Sequence, residues 1–125
     1  MLAKAIQDTR GASTLEFGIT APLYFMLLAG IVEFGLLFWS QVGLQHGAEM
    51  AARCASINSS ICPSSSATQA YAAQQSYGLN PPVSTFTADS AACGSQVTAS
   101  YPFQFFVSYF GVPSITLNAK ACFPK

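Results

Sequence analysis

The junction Arg10-Gly11-Ala12-Ser13-Thr14-Leu15-Glu16-Phe17 sets a cation, a glycine and a carboxylate just ahead of a long apolar run. A carboxylate facing hydrocarbon is costly unless paired, with penalties of about 2.5 to 3.5 kcal/mol at mid-bilayer, so Glu16 there requires a cation. Ser13-Thr14-Leu15-Glu16 also fits the S-x-x-E capping box, in which the glutamate only satisfies backbone donors at a helix start. Both readings stand at this point. Four cysteines, Cys54, Cys62, Cys93 and Cys122, form a second reactive set. No two of them are close neighbours and the single histidine, His46, lies on the far side of Cys54, so disulfides are favoured over a metal site. Three pairings are possible; Cys54 with Cys62 and Cys93 with Cys122 is preferred because it joins near neighbours. His46 has no nucleophile and carboxylate pattern around it, the serines have no nucleophile-elbow motif, and phosphate-loop and dinucleotide glycine patterns are missing. No catalytic residue, metal or organic cofactor is assigned.

The elements that must position these residues are dominated by apolar sequence. The chain has 125 residues, 51% hydrophobic and only 8% charged, against about 25% charged in an ordinary soluble domain. Residues 17 to 39 contain one charged side chain, Glu33, and a helix of that length reaches roughly 35 Å, enough to cross a hydrocarbon core. The run is too long for a removable secretory signal, and Arg53 before Cys54 does not suit a lipoprotein signal. Lys4 and Arg10 precede the span closely while only Arg53 follows it nearby, which predicts a cytoplasmic N-terminus and an exported C-terminal part. All four cysteines fall in that part, as an oxidising compartment favours. Five basic against five acidic residues leave no net charge, so nucleic acid is not an expected partner. Glu33 either snorkels towards the outer interface or meets another membrane helix. Pro22 lacks an amide proton and crowds the carbonyl of Gly18, which predicts a kink or local unwinding.

Helix is expected to continue past Trp39, giving one rod from about Ser13 to Ser56. Gly43, Gly47, Ala51 and Ala55 recur every fourth residue along its outer half, a smooth stripe for close helix packing. That stripe seats either the chain's own small domain, which is favoured, or a neighbouring subunit. Residues 58 to 66 read as a loop and Ala67 to Tyr77 as a short second helix. Alternation from Val83 to Ala88, from Val97 to Tyr101 and from Ile115 to Phe123 predicts a small antiparallel sheet. The aromatic stretch from Phe103 to Phe110 fits a strand, a helical turn or an apolar loop. The fold class is α+β: a long N-terminal helix, then a small disulfide-stapled antiparallel sheet with a short helix.

The sequence RGASTLEF followed by GITAPLYFMLLAGIVEFG resembles the N-terminal region of TadE-like minor pilins and pseudopilins of the tight-adherence pilus family. The likeness covers about residues 10 to 40. It implies a leader of residues 1–11, a pilin-type helix over 12–56 with its transmembrane span at 17–39, and a small exported domain over 57–125. A membrane-embedded prepilin peptidase would cut between Gly11 and Ala12, where the lack of a side chain lets a protease approach the extended backbone. Phe17 stands where the family's motif usually has tyrosine and keeps the aromatic ring. By the same resemblance Glu16, with Phe17 beside it, would pair with the new ammonium on Ala12 and set the register of subunit assembly. Glu33 lies in a stretch similar to a recurrent one of the family.

The implied protein is therefore a pilus component of the bacterial inner membrane, passing after assembly to the pilus or cell surface, with a role in adhesion. Its implied partners are the peptidase, other pilin subunits, an inner-membrane assembly platform with its ATPase, and membrane lipid. Two alternatives remain: a permanently anchored module that binds something in the periplasm, and a pseudopilin of a type II secretion system. Residues 57 to 125 carry only Asp89, Lys120 and Lys125 as charged side chains, a surface poorly defended against association.

Overall fold

A computed structural model describes residues 9–108 and 111–125; the leader residues Lys4 and Asp8 lie outside the described residues. The elements run α1 (Thr9–Ile57), α2 (Ser65–Gln74), a 3-10 turn (Val83–Thr85), β1 (Phe86–Ala91), β2 (Gly94–Gln104) and β3 (Ser114–Phe123). The chain divides into two units, Met1–Gly35 and Leu36–Lys125.

In the first unit the described chain is α1 alone, and its apolar side chains are open. Phe17 is 71% exposed and Ile19 69%, with Leu23, Tyr24, Phe25 and Ile31 similarly uncovered. α1 is long and apolar enough to cross a membrane by length and composition. It begins at Thr9, four residues before the expected start, so Ser13 sits inside the helix and not at its N-cap. The capping-box reading of Ser13 and Glu16 therefore does not hold for this chain. Pro22 lies within the helix without interrupting it, which corrects the expected unwinding. Near it the Thr20 hydroxyl donates to Glu16 O at 2.8 Å, a side-chain bond back to the preceding turn.

The second unit packs Leu36–Ile57 of α1 against α2 and a three-stranded antiparallel sheet of order β1-β2-β3. Phe86 pairs with Ala99, and Ala91 with Gly94, across the first hairpin; Ser95 pairs with Phe123, and Gln104 with Ser114, across the second pair. β3 alternates as expected, with Leu117, Ala119 and Ala121 buried while Thr116, Asn118 and Lys120 are exposed. The core is built largely from alanines, namely Ala48, Ala51 and Ala52 of α1, Ala72 of α2 and Ala99, Ala119 and Ala121 of the sheet. Phe86, 1% exposed, is the largest of the fully buried side chains. A core of small residues brings backbones close and leaves little room for error.

Two boundaries differ from expectation for local reasons. α2 starts at Ser65, earlier than Ala67, because the Ser64 hydroxyl caps it by accepting from Ala67 N at 3.3 Å. It stops at Gln74 before the expected Tyr77, since Tyr77 and Gly78 take φ values of 49° and 75°, left-handed backbone that ends a helix. Val83–Thr85, expected to alternate as a strand, forms the 3-10 turn after Pro81-Pro82. Of the ambiguous aromatic stretch, Phe103 and Gln104 complete β2.

The cysteines pair as Cys54–Cys62 and Cys93–Cys122, with Cα separations of 5.9 and 6.3 Å. The first closes the turn after α1, where Asn58 Oδ1 accepts from Ser60 N and Ile61 N. The second ties the β1–β2 hairpin to the end of β3, beside Gly94, whose φ of 125° and closeness to Phe123 and Pro124 leave no space for a side chain. By loop-closure entropy, removing the bridge of separation 29 should cost about 3 to 4 kcal/mol and that of separation 8 about 2 to 3. Urea unfolding of the full chain in detergent should therefore rank Cys93→Ser/Cys122→Ser below Cys54→Ser/Cys62→Ser in stability; the reverse order would overturn the entropic account.

Candidate functional site

Two faces of α1 carry the residues singled out by the sequence, one in each unit. In the first unit Gly11, Ala12, Glu16 and Phe17 are all exposed on one continuous helix. Gly11 has no neighbour within 4 Å of a would-be Cβ, so among the described residues no side chain lies over the position where a protease would bind. Glycine also weakens a helix by about 1 kcal/mol relative to alanine, which makes this the easiest place in the first turns of α1 to draw into an extended strand. Glu16 stands among exposed apolar side chains, Leu15 at 68% and Phe17 at 71%. An uncovered carboxylate in an apolar surround can do one thing well, which is to accept a cation brought to it.

Glu33 differs from Glu16. It is 4% exposed, so its carboxyl is not part of the open face that Glu16 and Phe17 present.

In the second unit the stripe Gly43, Gly47, Ala51 and Ala55 is occupied by the chain itself. A Cβ on Gly43 would lie 2.9 Å from Ser76 O, and one on Gly47 would lie 2.6 Å from Ala72 O and 2.5 Å from Ser76 Oγ. Ala51 is fully buried and Ala55 half-buried. The stripe thus seats α2 and the turn that follows it, the intramolecular of its two readings. Ser76, itself buried, donates its hydroxyl to Ala72 O at 2.8 Å, which fixes the wall against which the two glycines lie.

His46 belongs to the same clamp. Its Nδ1 is 2.8 Å from Gln75 O, which makes that nitrogen the donor, and its ring stacks on Tyr77 with centroids 4.2 Å apart. Sequence reasoning missed Gln41 and Gln45, whose side-chain amides donate to Asn118 O at 2.9 Å and Lys120 O at 3.3 Å. Two glutamines one helical turn apart, next to a small-residue stripe, were the available signal that α1 also carries a strand. Among the described residues no group of three His, Cys, Asp or Glu side chains is placed to hold a metal ion.

Comparison with protein families gives a match to the model of TadE-like protein over residues 11–53. No curated protein and no solved structure matches this chain. The matched segment starts at Gly11 and contains Glu16, the apolar run and Gly43, Gly47 and Ala51, so it coincides with both faces of α1 and stops short of the sheet. TadE-like pilus proteins are structural components, and one long apolar N-terminal helix fits a membrane-anchored member of a pilus. Over residues 11–53 this chain is similar to TadE-like protein, consistent with a component of the Tad pilus.

Proposed function

We infer that this chain is a minor pilin or pseudopilin, made as a precursor, cut after Gly11 by a prepilin peptidase and assembled into a Tad-type pilus used in adhesion. The observation that carries the reading is the TadE-like match itself, which opens on Gly11 and takes in the exposed apolar side chains of α1 from Leu15 to Phe34. Residues 17–39 hold the subunit in the inner membrane with the leader in the cytoplasm and the domain of residues 57–125 in the periplasm. Assembly then draws the helix from lipid into contact with other subunits, driven by a platform and its cytoplasmic ATPase. Cleavage removes Lys4, Asp8 and Arg10, leaving Arg53, Lys120 and Lys125 against Glu16, Glu33, Glu49 and Asp89.

Intact mass of the membrane-bound protein tests this directly. A chain beginning at Ala12 supports the pilin reading, and a full-length chain overturns it in favour of a permanently anchored module. Gly11→Leu adds a branched side chain where the backbone must lie against the protease and strengthens the helix that must open. It is expected to leave the precursor uncut and in the membrane, with a mass that includes residues 1–11; normal processing of this variant would place the cut elsewhere.

A further inference from the structure

The second unit carries few charges, and they are unevenly placed. Its acids are Glu49 and Asp89 and its bases Arg53, Lys120 and Lys125. Arg53 of α1 and Lys120 of β3, both exposed, line one cleft of about 460 Å³ between the two elements, with Met50 and Phe123 as its larger apolar side chains. Among the described residues neither cation has an ion pair or a side-chain hydrogen bond. Glu49 lines the same cleft, but its Oε1 is taken up by Gln45, whose amide donates to it at 2.9 Å. The cleft therefore offers two cations without a counter-charge bonded to them.

The unit's other acid lies on the far edge of the sheet. Asp89 is exposed on β1, and β1 and β3 flank β2. Asp89 pairs with Gln96 and Gln96 with Cys122, while Lys120 pairs with Thr98 and Thr98 with Thr87. Asp89 and Lys120 thus share the outer sheet face, two strand spacings and two residues from each other, or about 12 Å. No ion pair joins them, and Asp89 has no hydrogen bond through its carboxylate. Helix α2 covers the β1 edge only as far as Ala88, whose carbonyl accepts from Ser65 Oγ at 2.9 Å. Beyond it Asp89, Ser90, Ala91 and Ala92 are all exposed. A single carboxylate is carried on a hairpin of small residues, tied at its turn by Cys93–Cys122.

We propose that the α1–β3 cleft is a docking site for the Asp89 hairpin of a second copy of this chain, with Arg53 and Lys120 holding the carboxylate. Charge complementarity selects this occupant: the cleft has the unpartnered cations, and the hairpin has the one carboxylate of the unit that is not already bonded. Arginine presents a fork of N–H donors that matches a carboxylate, and such charge-assisted bonds are the stronger kind. Ser90, Ala91 and Ala92 are small enough to follow Asp89 in against Met50 and Phe123. Hairpin and cleft are different surfaces of one copy, so the contact is heterologous and repeats from copy to copy. It involves the second unit alone and stands whether or not residues 17–39 cross a membrane. Exposed ion pairs are individually weak, so the contact belongs to crowded subunits and is read by cross-linking at high protein concentration.

Full chain of natural isotopic composition is mixed in equal amount with heavy-nitrogen-labelled chain in detergent at low salt, treated with a water-soluble carbodiimide, digested and read by mass spectrometry. The reagent joins a carboxylate to an amine only where the two are in contact. The expected product is an Asp89–Lys120 amide with one peptide from each isotope. Its yield should fall several-fold at about 1 M salt, where charges are screened beyond about 3 Å. It should fall likewise in Arg53→Gln, which keeps both reacting groups and alters only an exposed side chain. Single-isotope products alone overturn the second copy in favour of a pair closed within one chain. A mixed product of unchanged yield in Arg53→Gln overturns the cleft, as does linkage of Asp89 to Lys125 in place of Lys120. Mixed products through Glu49 and not Asp89 overturn the hairpin as occupant, and absence of any linked peptide overturns the contact. None of these outcomes bears on cleavage after Gly11, which intact mass decides separately.

Discussion

Gly47→Leu is expected to unfold the second unit of the full chain in detergent while leaving its apolar helix intact. Glycine to alanine inside a helix ordinarily stabilises by up to about 1 kcal/mol, so the sign depends on what the new carbon meets. At Gly47 it meets Ala72 O at 2.6 Å and Ser76 Oγ at 2.5 Å, with Phe86 at 3.4 Å behind them. One of these is backbone, and the other is a buried hydroxyl already bonded to that same carbonyl. Neither can swing aside without moving α2. Overpacking by even small increments costs about 1 to 3 kcal/mol, which already outweighs the propensity gain for Gly47→Ala. A leucine cannot be housed unless α2 leaves α1, uncovering Ala72 and Phe86. A domain this small has only about 3 to 5 kcal/mol from its core, so the larger variant should have no folded baseline. Gly43→Ala, facing only Ser76 O at 2.9 Å, should cost less than Gly47→Ala. Urea unfolding followed by near-ultraviolet circular dichroism orders the three; a wild-type midpoint for Gly47→Leu would refute the seat.

The clash at Gly47 also explains what sequence could and could not reveal. The spacing of Gly43, Gly47, Ala51 and Ala55 was legible as a packing stripe because only small residues permit such an approach, yet spacing is silent on which chain approaches. The apolar run and the alternation of β3 were legible because each feature has a single period set by its environment. The stretch from Val83 to Ala88 misled because a 3-10 turn joins a strand inside it. Thr85 and Phe86, adjacent in sequence, are both buried, which no strand alternation allows but a turn does. Helix α2 was misplaced by its ends, where the Ser64 cap and the left-handed Tyr77 decide matters that composition does not encode. The core itself was hard to foresee, since buried and exposed alanines have the same hydropathy.

Glu16→Gln is expected to be cut after Gly11, to stay in the membrane and to fold its domain normally, yet to be nearly absent from pili. Three roles for this carboxylate make different demands. As a capping-box partner it would act through hydrogen bonds that glutamine retains, and Ser13 in any case lies inside α1. As a charge near a new helix N-terminus it would contribute only about 0.3 to 1 kcal/mol, a small change in incorporation. As the partner of the Ala12 ammonium across subunits it acts out of water, where breaking one half of a charge pair costs about 3 to 5 kcal/mol. Since about 1.4 kcal/mol is already a factor of ten, the pairing reading demands that incorporation fall by well over that factor. Inside its own chain Glu16 lies four residues from Ala12, about 6 Å along the axis, so the same ammonium can hold it before assembly and exchange it afterwards. Loss of the carboxylate therefore spares the membrane form and removes the preference for one axial position. Glu49→Gln, exposed on the same helix and bonded to Gln45 at 2.9 Å, changes charge equally and should leave incorporation unaltered. Intact mass, unfolding midpoint and the ratio of subunit in sheared pili to subunit in membranes separate the three roles. Pili that contain Glu16→Gln at the wild-type ratio would rule out the ion pair and leave the register of assembly to the apolar face around Phe17.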